Sequence, residues 1–424
     1  MRLRIEKAIY GGAGLARADG KAVFVPFALP GERVEATIRE ETRSYAAAEL
    51  QEVLEPSGER RAAPCPYFGA CGGCHYQHAD YAAQVEMKRA ILRETLERAR
   101  VGEIPEIAAV TGEPFGYRNR VRLHVEKNPF HLCYKRRNSH VNLPVEGCPI
   151  AAPALEGLIR ALNREGDGLG LGAWVREVEL FTDDTQGAVL AAFWTDRAKD
   201  EAEQELAKCW TRLQNLLPGL AGTGVFSVER GATTGKLLAQ AGDGALMYRA
   251  GARAYRVRLG SFFQVNRFLI DRLVGLVTLG QAGETAWDLY AGVGLFSLAL
   301  AEGFREVVAV ESGGAAVQDL RENLRGATRH RVVAAETAAF LRRAQGTPDL
   351  VVVDPPRAGL GREVTTLLGK VRARNVTYVS CDPATLSRDV AALLESGYRL
   401  AKMHLVDLFP QTFHLESVTH LTLD

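Results

Sequence analysis

Near-continuous apolar strands alternate with helices from about residue 256 to residue 424, and this alternation constrains the fold more than any other feature. The strand-like runs include TAWDLYAG, EVVAVES, DLVVVDPP and NVTYVSCDP, and a helical segment follows each of them. Strands that are apolar at almost every position are buried on both faces, as in parallel sheets that helices cover. Residues 256–424 therefore predict a doubly wound α/β domain with a mostly parallel sheet. The last two runs, YRLAKMHLVDLFP and HLESVTHLTLD, predict an antiparallel pair at one edge of that sheet.

Two smaller units are predicted in front of this domain. Residues 1–56 contain short β-rich runs separated by GGAG, ADGK and LPGE, a pattern that predicts a small β-barrel. Such barrels often bind RNA, but a generic β module fits the same pattern. Residues 57–255 predict a central α+β domain with antiparallel strands such as RVRLHVEK and VREVELFTD. An amphipathic helix is predicted from Tyr81 to Arg98, and it could pack on the 256–424 domain. Its apolar stripe consists of Val85, Ile91, Leu92 and Leu96.

The composition is that of a soluble globular protein, because 47% of the residues are hydrophobic and 24% are charged. No segment approaches the roughly 18 uninterrupted apolar residues of a membrane span. The N-terminal MRLRIEKAIYGG lacks the apolar core of a signal peptide. We therefore expect a cytoplasmic monomer without membrane contacts. The net charge of +1 argues against a bulk electrostatic nucleic-acid binder but leaves local basic patches open.

A ligand pocket is predicted where the strands of the α/β domain end. Gly292 and Gly294 follow a strand in WDLYAGVGLFSLALA, where glycine lets backbone N–H groups approach a ligand closely. Glu311 ends the next strand, 23 residues after Asp288, and could accept two ribose hydroxyls. Asp354 ends a further strand inside VVVDPP, close to the point where such sheets bind ligands. The pattern predicts a nucleoside-containing cofactor. A nicotinamide dinucleotide ranks second, because the third glycine of its fingerprint is missing.

A cysteine and a glutamate near this pocket suggest covalent chemistry on a pyrimidine. Cys381 ends another strand in VSCDP, and Glu416 stands in FHLESV on the way into the last strand. A thiolate that adds to C6 of uracil makes C5 nucleophilic, and a base must later remove the C5 proton. The alternatives are a buried filler cysteine and an exposed carboxylate at a strand edge.

DLYAGVG, DPPRAGL, YVSCDP and FPQTFHLESV, in this order, resemble the RNA uracil-5-methyltransferases. These are Rossmann-like, class I enzymes that use S-adenosylmethionine. The resemblance implies that Cys381 is the nucleophile and that Glu416 is the general base. It also implies that Gln264 in FFQVN reaches the methionine end of the cofactor. The implied cofactor-binding residues are Gln264, Tyr290, Gly292, Gly294, Leu295, Glu311, Glu336 and Asp354.

The sequence departs from the family pattern at three positions, two of them in this set. Many members have cysteine where Ala291 stands, and many have asparagine where Leu295 stands, so this position offers only its backbone N–H. The acidic residue near the adenine is usually an aspartate in a G-D-A setting. Here Glu336 in AAET would take that place.

Three of the seven cysteines, Cys65, Cys71 and Cys74, fall within ten residues, which suggests metal ligation rather than packing. With Cys148 in EGCPIA they form a set of four that suits structural zinc or an iron–sulfur cluster. The C-x5-C-G-G-C spacing with a distant C-P-I resembles the [4Fe-4S] site of family members that act on ribosomal RNA. Zinc and unligated cysteines remain alternatives. Such a cluster, with four protein ligands, would have a structural or RNA-docking role. The remaining cysteines outside the catalytic motif are predicted to pack in the core: Cys133 and Cys209.

RNA contacts are predicted in the segment 117–137, which carries seven Lys and Arg residues and one acid. Its basic side chains would bind phosphates, and Tyr117, Phe130 and Tyr134 could stack on unpaired bases. A solvated strand face is the alternative. The N-terminal barrel resembles a TRAM domain, an RNA-binding module, and would supply a second contact. Barrel and cysteines together favour a uridine in 23S ribosomal RNA over transfer RNA, whose enzymes usually lack both.

Three rival functions fit parts of the pattern. An RNA cytosine-5-methyltransferase would use similar chemistry, but it carries a cysteine after the proline where this chain has D-P-P-R. An amino-group methyltransferase does not need Cys381 and usually has an aromatic residue in place of Arg357. A cluster-bearing RNA-binding protein without catalysis would need neither Cys381 nor Glu416.

Overall fold

The N-terminal strands form a six-stranded barrel-like sheet. The structure, a computed structural model, describes residues 1–228, 235–327 and 329–423. The strands are β1 (Arg2–Arg4), β2 (Lys7–Ala8), β3 (Ala13–Ala18), β4 (Lys21–Pro26), β5 (Arg33–Glu41) and β6 (Tyr45–Glu55). Their order is β1-β5-β6-β4-β3-β2. The Ile5 N–H donates to the Glu32 carbonyl at 2.9 Å and the Glu6 N–H to the Leu15 carbonyl at 2.7 Å. The first strands therefore pair with both ends of the sheet and curl it on itself.

The predicted amphipathic helix is confirmed as α1 (Tyr81–Arg98), which begins where the Asp80 side chain accepts a hydrogen bond from the Ala82 N–H. Val85, Leu92 and Leu96 on its apolar stripe are buried in one cluster with strands of the C-terminal sheet. A short strand, β7 (Ile107–Val110), follows the helix. It also joins the C-terminal sheet, although it lies far outside residues 256–424.

The middle of the chain forms a seven-stranded sheet with two helices. In chain order the elements are β8 (Arg120–Lys127), β9 (Phe130–Lys135), β10 (Asn142–Pro144), α2 (Pro153–Glu165), β11 (Val175–Thr182), β12 (Val189–Thr195), α3 (Lys199–Leu216), β13 (Leu220–Ser227) and β14 (Leu237–Gly242). The strand order is β10-β9-β8-β11-β12-β13-β14. Cys133 and Cys209 are buried in this part of the protein, as predicted.

A hairpin of β15 (Ala245–Ala250) and β16 (Arg253–Arg258) connects the middle of the chain to the C-terminal sheet. Its buried residues Tyr248, Tyr255 and Val257 share one apolar cluster with residues of the C-terminal domain. The expected boundary at residue 255 therefore falls inside a strand.

An eight-stranded sheet with helices on both faces forms the C-terminal part. Its elements are α4 (Ile270–Thr278), β17 (Gly283–Leu289), α5 (Leu295–Leu300), β18 (Phe304–Glu311), α6 (Gly314–Asn323), β19 (His330–Ala334), α7 (Thr337–Leu341), β20 (Leu350–Val353), α8 (Gly361–Val371), β21 (Asn375–Ser380), α9 (Pro383–Glu395), β22 (Tyr398–Val406) and β23 (Glu416–Leu423). The strand order is β19-β18-β17-β20-β21-β23-β22-β7. This is the mostly parallel, doubly wound α/β sheet that the alternating pattern predicts.

The position of the antiparallel strands differs from the prediction. Strands β22 and β23 do pair antiparallel, but β23 lies inside the sheet between β21 and β22. Strand β7 pairs parallel with β22 and forms the edge. A strand edge exposes unpaired N–H and C=O groups, and β7 covers the edge that the C-terminal strands alone would leave open. Among the described residues no helix is long and apolar enough to cross a bilayer.

Candidate active site

A single pocket opens at the carboxyl ends of the central parallel strands, with about 1700 Å³ of empty volume including the solvent at its mouth. It lies where β17 and β20 are neighbours, the place where doubly wound sheets bind ligands. Both predicted catalytic residues and all but one of the predicted cofactor residues line it. The predicted residues at the pocket wall are Gln264, Tyr290, Gly292, Leu295, Glu311, Glu336, Asp354, Cys381 and Glu416.

Gly294 is the exception, because it does not line the pocket and instead packs against Leu320. It stands at the start of α5 with φ +93°, and a Cβ there would lie 2.8 Å from the Leu320 side chain. Gly292 has φ +56° and open space around its Cα. The Gly292 N–H donates to one Glu311 carboxylate oxygen at 2.9 Å, and the Gly313 N–H donates to the other at 2.6 Å. Glu311 thus braces the glycine turn while each oxygen keeps a lone pair for a ligand.

Two neighbouring aspartates lie at this site: Asp354 lines the pocket, and Asp288 is buried behind it. Burial raises the pKa of Asp354 to about 7, and the neighbouring Asp288 carboxylate contributes. Burial likewise raises the pKa of Asp288 to about 7, although the Ser297 hydroxyl donates a hydrogen bond to it. A cationic or hydrogen-bond-donating ligand would stabilise the ionised form of carboxylates whose pKa is raised in this way.

Cys381 and Glu416 face each other across two neighbouring strands. The antiparallel register pairs Ser380 of β21 with Ser417 of β23, so the next position on this side pairs Cys381 with Glu416. Burial raises the pKa of the Cys381 thiol to about 11, and the Glu416 carboxylate adds to the shift. Burial and Asp354 raise the pKa of Glu416 well above its usual range. Arg357 opposes both shifts.

Several residues at this site were not predicted from the sequence as site residues. Arg357 lines the pocket, and its guanidinium donates to His414 Nδ1 at 3.2 Å. Burial, together with Arg357, lowers the pKa of His414 to about 4, so the imidazole is neutral at pH 7 and can accept this bond. Tyr10 of the barrel donates a long hydrogen bond of 3.4 Å to the Cys381 carbonyl. The D-P-P-R and F-H-L-E strings contain two of these residues, but nothing in the local sequence points to Tyr10.

The four cysteines of the predicted cluster converge although Cys148 is far away in sequence. Cys65, Cys71, Cys74 and Cys148 line one pocket. Burial raises the pKa of Cys74 to about 12, and the other three thiols contribute to that shift. Among the described residues, no group of three or more His, Cys, Asp or Glu side chains is close enough to hold one metal ion.

The aromatic residues of the predicted RNA segment are not free to stack on bases. Tyr117 and Phe130 are 0% and 1% exposed. The Tyr117 hydroxyl donates to the Pro410 carbonyl at 3.1 Å, and Tyr134 lines the cysteine pocket. Arg120 also points inward, over the ring of Phe181. The stacking role predicted for Tyr117 and Phe130 is wrong, because both side chains are buried in the core. The outward-facing basic residues include Arg122, Lys127 and Arg136.

Family profiles match at both ends of the chain. The profile described as tRNA (Uracil-5-)-methyltransferase matches residues 343–423, which include Asp354, Cys381 and Glu416. A TRAM domain profile matches residues 1–50, the barrel-like sheet. A third profile, described as Conserved hypothetical protein 95, matches residues 276–382.

Similar proteins cover the whole chain. The 23S rRNA (uracil(1939)-C(5))-methyltransferase RlmD of Chromohalobacter salexigens is 35% identical over 100% of this chain and 89% of its own length. An uncharacterized RNA methyltransferase of Aquifex aeolicus is 34% identical over 99% of this chain and 98% of its own. The crystal structure of Pyrococcus abyssi tRNA (uracil-54, C5)-methyltransferase with S-adenosyl-L-homocysteine superposes with a TM-score of 0.80, at 25% identity and with full coverage of both chains. By sequence and by fold, the chain belongs to the family of RNA uracil-5-methyltransferases.

Proposed function

We propose that this protein transfers a methyl group from S-adenosylmethionine to C5 of a uridine in 23S ribosomal RNA. The observation that carries the proposal is the convergence of Cys381 and Glu416, opposite each other across β21 and β23, on the pocket of the predicted cofactor residues. A donor pocket alone would fit any methyltransferase. A thiol and a carboxylate facing one pocket supply the nucleophile and the base that C5 chemistry needs.

The reaction follows from the roles of these two groups. Cys381 Sγ, as a thiolate, adds to C6 of uracil, and the resulting enolate makes C5 nucleophilic. Bound S-adenosylmethionine supplies the methyl group on a cationic sulfur and leaves as S-adenosylhomocysteine. Glu416 then accepts the C5 proton, the C–H electron pair forms the C5–C6 double bond, and the C6–S bond breaks to return the thiolate. Glu416 is only 4% exposed, so this proton transfer takes place away from bulk water.

The other pocket residues bind and orient. Glu311 offers lone pairs to the ribose hydroxyls, and Asp354 lies between the glycine turn and Cys381. Gln264 enters the pocket next to Phe263, which is buried. The positive charge of Arg357 favours the ionised forms of both Cys381 and Glu416.

A [4Fe-4S] cluster is the group that we propose for the pocket of Cys65, Cys71, Cys74 and Cys148. The four thiols fit it by chemistry, since thiolates are the usual ligands of such clusters. With four protein ligands the cluster would have no open position. We therefore assign it a structural role, and the methyl transfer above does not pass through it.

The decisive experiment uses RNA that contains 5-fluorouracil. Fluorine at C5 cannot leave as a proton, so the reaction should stop at the covalent complex after methyl transfer. We expect a protein–RNA adduct on denaturing gels that requires S-adenosylmethionine and is absent in Cys381→Ala. Cys209→Ala is the matched control, because Cys209 is buried in the central domain, outside the catalytic pocket. An undiminished adduct in Cys381→Ala would disprove the covalent role.

The choice of RNA is tested separately. Relatives that are about 35% identical to this chain are named for 23S ribosomal RNA. The similar crystal structure is that of a transfer-RNA enzyme. Transfer RNA is therefore the second candidate. Mapping 5-methyluridine in both RNA classes from a deletion strain should show its loss from 23S ribosomal RNA with transfer RNA unchanged.

A further inference from the structure

The loop between β22 and β23 is held by buried polar groups that the proposed reaction does not use. This loop, residues 407–415, leads directly to Glu416. Lys88 of α1 and Asp407 are both 0% exposed at their side chains, and Lys88 Nζ lies 2.6 Å from Asp407 Oδ1. The same Nζ donates to the Phe409 carbonyl at 2.9 Å. A buried ion pair contributes little net stability, because the desolvation cost offsets the attraction. Its more informative property is that it fixes the position of the loop relative to α1.

A second pair of side chains fixes the same loop from the same helix. Gln84 is 0% exposed, and its Nε2 donates to Gln411 Oε1 at 3.0 Å while its Oε1 accepts the Gln411 N–H at 3.0 Å. Gln411 has φ +69°, a strained conformation for a residue other than glycine, which persists only where the surroundings hold it. The Gln411 carbonyl accepts the N–H groups of His75 and Tyr76, at 2.8 and 2.9 Å. The loop is therefore held by α1 and by the residues that directly follow Cys74.

The loop also holds the other side of the pocket. The Asn266 side chain, two residues beyond Gln264, donates to the Leu408 carbonyl at 3.1 Å. The ring of Phe413 lies 4.6 Å from that of His75 and 4.3 Å from that of His414. A shift of residues 407–411 would thus displace the segment that leads to Glu416.

We infer that Lys88 is a positioning residue for proton removal at C5. Together with Gln84, it holds residues 407–411 from α1 and so fixes the carboxylate of Glu416 against the pocket. This inference rests on the proposed function. Addition to C6 and methyl transfer use Cys381 and the donor pocket, which the loop contacts at the wall through Phe409 and His414. The step that depends most on the loop is the last one, in which Glu416, the residue that directly continues the loop, takes the C5 proton and the C6–S bond breaks.

The test separates the two halves of the reaction in a single turnover with ordinary uracil-containing RNA and methyl-labelled S-adenosylmethionine. The variant is Lys88→Met with Asp407→Leu, because replacing a buried ion pair by apolar residues usually preserves the fold. We expect release of methylated RNA to slow on the order of 10- to 100-fold, the effect of a reacting group displaced by about 1 Å, and formation of the methyl-bearing adduct to slow by a clearly smaller factor. The adduct should therefore accumulate, as it should in Glu416→Gln.

A second ion pair, in which only the carboxylate is fully buried, serves as the control. The Glu32 side chain is 0% exposed and its Oε1 lies 2.5 Å from Nε of Arg60, whose side chain is 23% exposed. Glu32→Leu with Arg60→Met should leave the ratio of adduct formation to release unchanged. The inference is overturned if the Lys88 and Asp407 double variant releases RNA at the wild-type rate, or if adduct formation and release slow by the same factor. Failure of the proposed function looks different, because the wild-type protein would then form no adduct.

Discussion

Alanine substitution of Gly292 and Gly294, the two glycines of the turn after β17, should separate an effect on stability from an effect on ligand affinity. At Gly294, with φ +93°, an added Cβ would lie 2.8 Å from Leu320 Cδ1. Leu320 is fully buried and cannot move aside freely. A positive φ costs a residue with a Cβ about 1–2 kcal/mol, and an extra methyl group in a filled core costs about 1–3 kcal/mol. We therefore expect Gly294→Ala to lower the free energy of unfolding by about 2–5 kcal/mol.

Gly292 supplies the internal comparison. It has φ +56°, and nothing lies within 4 Å of an added Cβ, so only the backbone cost of about 1–2 kcal/mol applies. Gly292 lines the pocket, however, and a methyl group there would stand where the ligand approaches. Gly292→Ala should therefore lose more affinity for S-adenosylhomocysteine than stability.

Denaturant unfolding followed by circular dichroism measures the first quantity, and titration calorimetry with S-adenosylhomocysteine measures the second. Gly314→Ala is the control, because Gly314 begins α6 without positive φ and with open space around it. It should be neutral or slightly stabilising, since alanine is the better helix former. Equal unfolding free energies for Gly294→Ala and Gly292→Ala would refute the packing argument at Leu320.

Two further predictions concern the cysteines. Cys148→Ser should lower the iron and sulfide content of anaerobically purified protein, whereas Cys133→Ser, at a buried cysteine outside the pocket, should not; equal metal content in both would exclude Cys148 as a ligand. Alkylation of Cys381 by iodoacetamide in the ligand-free protein should keep rising with pH towards about 11 instead of levelling off near 9.0, because burial and Glu416 disfavour the thiolate. Glu416→Gln should speed alkylation at a given pH, since it removes a negative neighbour; a profile that levels off near 9.0 would contradict the assigned environment.

The hydrophobic periodicity of the sequence predicted the main helices and strands that carry the site. The elements that it missed are short strands whose place in the sheet depends on topology. Strand β8 and helix α1 lie where RVRLHVEK and the apolar stripe from Val85 predict them. Strand β7 is only four residues long, IAAV, and nothing in so short a run indicates which sheet it joins. Strand β3 follows a glycine pair that also fits a turn. Such elements depend on long-range pairing, which local pattern does not contain.

The site shows the same division. Motifs at strand ends predicted residues that the sheet brings to one pocket, because the carboxyl ends of parallel strands meet at the same edge. The roles of Cys381 and Glu416 remain predictions until the adduct is measured. Lys88 was not predicted, because a lysine in an amphipathic helix is normally assigned to the solvated face. Its burial depends on Asp407, which is 319 residues away in the sequence.

The raised pKa of Cys381 is compatible with the nucleophilic role that we propose for it. In the ligand-free pocket, burial raises the pKa values of Cys381, Glu416 and Asp354 together, and the carboxylates also raise the pKa of the thiol. Raised pKa values favour the protonated form of these three groups as long as no positive charge is bound nearby. A cationic sulfur placed beside Asp354 favours the ionised form of all three acids, as Arg357 already does for the thiol and for Glu416. The environment that disfavours the thiolate in the empty pocket should therefore favour it when the methyl donor is bound, and we expect thiolate formation to depend on occupancy of the donor pocket.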